Sequence, residues 1–173
     1  ILFFYLCAEA AITGWLVKYF VDARIMDVQQ GQLLASLLWL AILMGRLACT
    51  FYGDRLKRSH LLLLISVGAS LFYFLLLSTQ TFSLIVIAVF GLGVSMGGIY
   101  PTTMTIAGPS IRKYPMAMGW LLIIGGVGGI TMPVITGVLA TNYGIFAGMA
   151  AIVVAIVTML FGVAVYLFSE RKG

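Results

Sequence analysis

The sequence predicts an all-α membrane protein, a bundle of six transmembrane helices. Of its 173 residues, 62% are hydrophobic and only 9% are charged, whereas soluble domains carry charge on about a quarter of their positions. A soluble chain of this size could not bury so much apolar surface, so lipid must surround most of it. The net charge of +5 comes from short basic runs between apolar stretches, which indicates membrane orientation and not nucleic-acid binding.

Six apolar stretches approach the length of about 20 residues that a bilayer core requires. They lie at about 1–20, 31–52, 61–78, 82–107, 116–140 and 145–168. Lipid offers no water to unpaired backbone groups, and the stretches lack the polar–apolar alternation of barrel strands, so each is predicted to be a helix. Residues 1–173 are therefore expected to form a single six-helix transmembrane bundle.

Basic residues are concentrated in alternate connections between the predicted helices. Seven of the ten lie in two of these connections and in the tail on the same side: Arg55, Lys57, Arg58, Arg112, Lys113, Arg171 and Lys172. This bias predicts a multi-pass protein of the plasma membrane or bacterial inner membrane, with both ends of the chain in the cytoplasm. Because the chain starts at Ile1, inside an apolar run and without Met, we expect it to be part of a larger protein.

Glu9 is the one carboxylate deep inside a predicted span, a position where acids are costly and usually face a bundle interior or a watery cavity. Tyr5 and Thr13 stand four residues to either side of it, which favours one polar helical face. Two interpretations stay open: this face contacts a substrate or a proton, or Glu9 is a neutral, hydrogen-bonded structural residue between helices.

Arg46 lies about two turns before the cytoplasmic end of the second span, at a depth similar to that of Glu9. An ion pair with Glu9 is feasible, and the alternative is that Arg46 reaches the lipid headgroups. The connection that follows, Gly53–Arg58, combines basic residues with Asp54. Such an Asp can pair with a neighbouring Arg or with a helix amino terminus, and this contact could close a cytoplasmic gate.

The fourth span ends in a run of small and hydroxyl residues interrupted by Pro101. Ser95, Tyr100 and Thr102 supply hydroxyl groups there, and the proline should kink or loosen the helix. This composition favours a moving, cavity-lining helix, although small and hydroxyl residues also pack helices together. The fifth span carries small residues at four-residue spacing, which predicts close helix packing: Gly125, Gly129, Pro133 and Gly137.

Motifs of soluble enzymes are missing from the sequence. His60 is the sole histidine, both cysteines fall in apolar stretches, and no lysine follows the glycine-rich run as a phosphate-binding loop would need. We therefore predict no covalent catalysis, no cofactor and no metal site.

These residues resemble the carboxy-terminal half of the major facilitator superfamily. Gly45-Arg46 and the Gly53–Arg58 loop look like the superfamily's cytoplasmic motif, with Thr50 and Lys57 standing where that motif has Gly. Other patterns look like the fucose–proton symporter family: Phe4-Tyr5, Glu9, Trp15, Tyr19, Gly91–Gly93, Tyr100–Thr102, Gly125-Gly126, Gly129, Pro133 and Gly137. In that family the known proton-coupling acids belong to the amino-terminal half, so the resemblance assigns no proton to Glu9.

The resemblance implies secondary active transport of a small polar solute, most simply a sugar, with proton coupling and a second, amino-terminal six-helix half as partner. The residues expected to line the substrate or proton cavity are Tyr5, Glu9, Thr13, Trp39, Ser95, Tyr100 and Thr102. Those expected to form the cytoplasmic gate are Arg46, Gly53, Asp54, Arg55 and Arg58. Two other classes stay open: an efflux antiporter for amphipathic compounds, and a six-helix scaffold or receptor that transports nothing.

Overall fold

A computed structural model describes residues 1–170, apart from the side chains of Tyr52 and Asp54, and confirms the predicted all-α, six-helix bundle. The helices are α1 (Leu2–Asp22), α2 (Val28–Tyr52), α3 (Arg58–Ser78), α4 (Phe82–Lys113), α5 (Met116–Tyr143) and α6 (Ile145–Glu170). A short 3-10 turn, Gly53–Arg55, joins α2 to α3. All six helices are long and apolar enough to cross a membrane.

The helix limits differ most from the prediction at α4. This helix continues six residues past the expected end at 107 and runs through both Pro101 and Pro109 without a break. Each proline removes only one backbone donor, and the remaining backbone hydrogen bonds continue the helix. The helix ends where the backbone N–H of Tyr114 donates to the Ser110 carbonyl oxygen. At α2 the helix starts three residues early because Asp27 caps it, accepting the Gln30 N–H at 2.7 Å.

The helices form two interlocked sets of three. The first helix packs against α5, α6 and α2, while α4 packs against α2 and α3, and α3 against α6. Exchanging α1 with α4, α2 with α5 and α3 with α6 maps the α1–α5 and α1–α6 contacts onto α4–α2 and α4–α3, as expected for two three-helix repeats. The α5–α6 contact has no comparably close α2–α3 counterpart in the described chain. The central parts of α4 and α1 are the most buried, at 56% and 44% of residues, against 22–33% in the other helices.

Glycines bring α2 and α4 into direct backbone contact. A Cβ on Gly97 would collide with the Ile42 carbonyl, and a Cβ on Gly45 would collide with the Val94 carbonyl. A Cβ on Gly93 would stand 2.7 Å from the Leu38 carbonyl oxygen. Close backbone approach through small residues is the usual way membrane helices pack without a hydrophobic driving force. This contact fixes which faces of α4 turn toward α2 and α3.

The fifth helix packs along α1 through the stripe of small residues. A Cβ on Gly125 would run into Leu6, and a Cβ on Gly137 would stand 2.8 Å from the Trp15 ring. The Trp15 Nε1 donates a hydrogen bond of 3.0 Å to the Pro133 carbonyl oxygen. At Gly129 the contact is looser, with the Ala10 Cβ 3.8 Å away. The stripe therefore follows α1 from Leu6 to Trp15, and the contact is tighter at Gly125 and Gly137 than at Gly129.

Most basic residues of the described chain share one end of the bundle, where α2 and α4 end and α3 and α5 begin: Arg55, Lys57, Arg58, Arg112 and Lys113. We predict that a cysteine at His60 or Ser110 is labelled by an impermeant thiol reagent only after the membrane is permeabilised, and that a cysteine at Gln80 is labelled in intact cells. All three positions are exposed, whereas the neighbouring Ser59 is only 2% exposed and would react poorly on either side. Labelling of His60→Cys in intact cells would reverse the orientation.

Candidate functional site

A groove of about 330 Å³ lies on α1, between α2 and α5. Its floor is one face of α1, with residues spaced three and four apart as a helical face requires: Leu6, Glu9, Ala10 and Thr13. One wall comes from α2 (Trp39 and Arg46), and the other comes from α5 (Gly125, Gly126 and Gly129). The groove thus joins a charged pair, an indole and a wall without side chains.

An ion pair crosses the groove from floor to wall. Arg46 Nη2 lies 3.7 Å from Glu9 Oε1, so the pairing that their similar depths made feasible is present. The Glu9 side chain is only 14% exposed, whereas that of Arg46 is 49% exposed. Glu9 is therefore the buried partner, and the guanidinium of Arg46 is the part of the pair that a solute in the groove could reach.

The pair leaves hydrogen-bonding capacity unused. The Tyr5 hydroxyl lies beside Glu9 and Arg46. Yet, among the residues that the structure describes, neither Tyr5 Oη nor Glu9 Oε1 forms a hydrogen bond of good geometry. Buried polar atoms are normally satisfied by protein groups or ordered water, so these two atoms, on the buried side of the ion pair, are exceptions.

Thr13 and Trp39 complete the polar lining in different ways. The Thr13 hydroxyl donates to the Glu9 carbonyl oxygen at 2.8 Å, so toward the groove it can only accept. The side chain of Trp39 is 54% exposed and offers both an apolar ring face and an N–H donor. Both residues line the same groove as Glu9.

Tyr5 does not line the groove, although it stands four residues before Glu9. A four-residue step turns a helix by about 40° beyond a full circle, so the 5–9–13 series drifts around α1. Tyr5 is fully buried behind Glu9, and its ring centroid lies 6.4 Å from that of Tyr100 on α4. The two tyrosines therefore support the floor from behind, and Leu6 takes the place in the groove that was predicted for Tyr5.

Ser95 and Thr102 lie away from the groove, and their prediction as cavity residues is corrected. The glycine face of α4 packs on α2, and Ser95, two residues beyond Gly93, turns to α3, where its hydroxyl lies against Gly68. Thr102 is buried beside Cys49 and lines a separate cavity of about 150 Å³. That cavity is at the basic end of the bundle, and its other lining residues are Thr50, Gly53, Arg58, Leu61, Pro101 and Thr105.

The residues predicted as a cytoplasmic gate also divide. Arg46 belongs to the groove with Glu9, two turns inside α2. Gly53 and Arg58 border the smaller cavity, and Arg55 closes the 3-10 turn on the exposed surface. The Asp54 side chain lies outside the described part of the structure. The assignment of Arg46 to the cytoplasmic gate is therefore corrected. Arg46 lies two helical turns from the Gly53–Arg58 loop and belongs to the groove.

Over the described residues, no group of three or more His, Cys, Asp and Glu side chains is placed to hold a metal ion. The groove residues that sequence reasoning missed carry no polar side chain: Leu6, Ala10 and Gly126. Leu6 and Ala10 could have been found from helical spacing. Leu6 is three residues before Glu9, and Ala10 is four residues after Leu6, so both share its helical face. Nothing in the sequence distinguished Gly126 from the other glycines of its run.

Comparison with known proteins agrees with the architecture. The sequence profile of the Major Facilitator Superfamily matches residues 1–173. The chain is similar to Bypass of stop codon protein 6 of Saccharomyces cerevisiae, with 26% identity over 83% of this chain and 31% of the relative. It is also similar to the TsgA homologues of Buchnera aphidicola (24% identity, 94% of this chain, 41% of the relative) and Yersinia enterocolitica (22%, 84% and 37%). The chain spans about a third to two-fifths of these relatives, and it belongs to the Major Facilitator Superfamily.

Proposed function

We propose that the protein containing this six-helix unit is a secondary active transporter that moves a small polar solute, specifically a sugar, by alternating access coupled to protons. Membership of a superfamily of secondary transporters supports the class of activity. The observation that carries the proposal further is the groove: a Glu9–Arg46 pair and an exposed indole share one cavity in a chain that is otherwise dominated by apolar side chains.

The groove chemistry suits a sugar. A sugar ring presents hydroxyl groups around its edge and C–H groups on its faces. Arg46 can donate to the hydroxyls, Glu9 and Thr13 can accept from them, and Trp39 can cover a C–H face with its ring. The solute would reach Glu9 through the 14% of its side chain that is exposed, since Glu9 Oε1 is buried. An amphipathic drug would satisfy fewer of these groups.

The placement of Glu9 supports proton coupling. A carboxylate at this depth must be paired, hydrogen-bonded or protonated, because an isolated charge there costs at least ~2.5–3.5 kcal/mol. Proton uptake by Glu9 would neutralise it and release Arg46 from the pair, which changes how the groove binds a solute. Glu9 and Arg46 are thereby the candidate link between the proton and the sugar.

A second six-helix half would complete the transporter. The curated relatives are more than twice as long as this chain, and α5 has the lowest buried fraction of the six described helices. We propose that the partner half covers the α2–α5 side, closes the groove and rocks against this unit, while lipid contacts the remaining surface. The loop with Gly53, Asp54, Arg55 and Arg58 would then act as the cytoplasmic gate.

The proposal is tested by uptake into proteoliposomes that hold the full-length protein. With an inwardly directed proton gradient, we expect radiolabelled L-fucose or another hexose to accumulate, and an uncoupler to abolish the accumulation. Absence of sugar accumulation under the gradient would contradict the sugar substrate. Proton-driven export of amphipathic cations would instead indicate an efflux antiporter, and absence of any transport would indicate a scaffold or receptor.

A further inference from the structure

The glycines of α5 fall into two groups that the sequence does not separate. Gly125 and Gly128 are buried against α1, where a Cβ would meet Leu6 or would stand 2.8 Å from Cys7 Sγ. Gly126, between them, is exposed, and a Cβ there would have nothing within 4 Å. The helix could therefore carry a side chain at Gly126 at no packing cost, and a larger residue would favour the helix.

Gly126 nevertheless lines the groove beside Glu9 and Arg46. A side chain there would stand in the open space of the groove, on the wall opposite Trp39 and Arg46. Gly129 adjoins it on the same wall, and a Cβ there would make ordinary contact with Ala10 at 3.8 Å. Helix packing therefore does not require glycine at these positions of the α5 wall. The absence of side chains there instead sets the width of the groove.

We propose that Gly126 is a specificity-determining residue: its missing side chain sets the width of the groove, so that a ring-sized solute fits between the α5 wall and Trp39. Gly129 extends the same surface by one helical turn. This inference rests on the proposed transport function and assigns a separate task to each glycine class, packing to Gly125 and Gly128 and solute size to Gly126.

The first test compares uptake of a labelled hexose with uptake of a labelled four-carbon polyol in proteoliposomes of the full-length protein. Gly126→Ala should lower the ratio of hexose to polyol uptake about tenfold, because one added methyl group in a filled site has effects of that order. Gly119→Ala is the matched control, since it lies on the same helix, is exposed and has nothing within 4 Å of a Cβ, yet lies outside the groove. An unchanged ratio in Gly126→Ala, or an equal fall in both variants, would overturn the inference.

A second test does not depend on the solute. In a background without other cysteines, Gly126→Cys should react quickly with a small charged methanethiosulfonate reagent and at least about tenfold more slowly with a bulky one, as expected for a site that discriminates by size. Gly119→Cys should react equally with both. If the wild-type protein takes up no sugar, the proposed substrate fails and this labelling alone decides the role of Gly126. Equal reactivity of Gly126→Cys toward both reagents would then overturn it.

Discussion

Replacing Arg46 by glutamine should destabilise the protein more than replacing Glu9 by glutamine. The first change leaves a 14% exposed carboxylate without its partner, whereas the second leaves a guanidinium that is about half exposed. Breaking a fully buried pair costs about 3–5 kcal/mol; the exposure of Arg46 reduces this to about 1–3 kcal/mol for Arg46→Gln. Thermal melting of the detergent-solubilised full-length protein, followed by size-exclusion fluorescence, measures the difference.

The double variant Glu9→Gln/Arg46→Gln should recover part of the loss, because it removes both charges at once. Lys18–Asp22 serves as the matched control pair, since its atoms are closer, at 2.7 Å, but its side chains are 56% and 38% exposed. Lys18→Gln should therefore cost no more than about 1 kcal/mol. If the effects of the Glu9 and Arg46 changes on stability are additive, or if Lys18→Gln costs more stability than Arg46→Gln, the Glu9–Arg46 pair does not stabilise the protein.

Gly97→Ala should cause a comparable or larger loss of stability. Its new Cβ would collide with the Ile42 carbonyl and stand 3.1 Å from the Arg46 backbone nitrogen, so α2 and α4 would have to separate. Backbone atoms cannot change rotamer to avoid the new Cβ as a side chain can. We therefore expect a loss of stability at or above the upper end of the ~1–3 kcal/mol usual for overpacking. Separation of α2 from α4 would also move Arg46 away from Glu9, so we expect Gly97→Ala to lower sugar uptake as well as stability.

Gly108→Ala is the control for this change. It lies on the same helix, and a Cβ there would have nothing within 4 Å. We expect Gly108→Ala to melt at or slightly above the wild-type temperature, because alanine favours the helix. Wild-type melting of Gly97→Ala would show that the α2 and α4 backbones leave room for a Cβ between Gly97 and Ile42.

Hydropathy was sufficient to predict the six helices, because a bilayer requires long apolar segments and leaves no other structure for them. It failed at the end of α4, where the apolar stretch ends at 107 but the helix continues through Pro109 to Lys113. The Glu9–Arg46 pair was within reach of the sequence because depth along a helix follows from counting residues. Depth alone, however, does not say which partner is buried.

The rotational position of each residue was harder to predict than its depth. Ser95 and Thr102 looked like cavity residues because they are polar, but the contact of the α4 glycines with α2 turns Ser95 toward α3. Tyr5 lies outside the groove because each four-residue step along α1 turns the side chain about 40° around the helix axis. Gly126 could not be recognised at all, since its role depends on the space beside it. These features are set by helix–helix packing, which a single sequence does not display.

The most direct test of the central proposal, that the solute binds in the groove on α1, is equilibrium binding of the best-transported sugar to two variants of adjacent residues. Trp39 and Leu40 are almost equally exposed, at 54% and 53%, but only Trp39 lines the groove. We expect Trp39→Ala to weaken binding about tenfold, equivalent to ~1.4 kcal/mol, and Leu40→Ala to leave the affinity unchanged. Wild-type affinity in Trp39→Ala, or an equal loss in both variants, would contradict it.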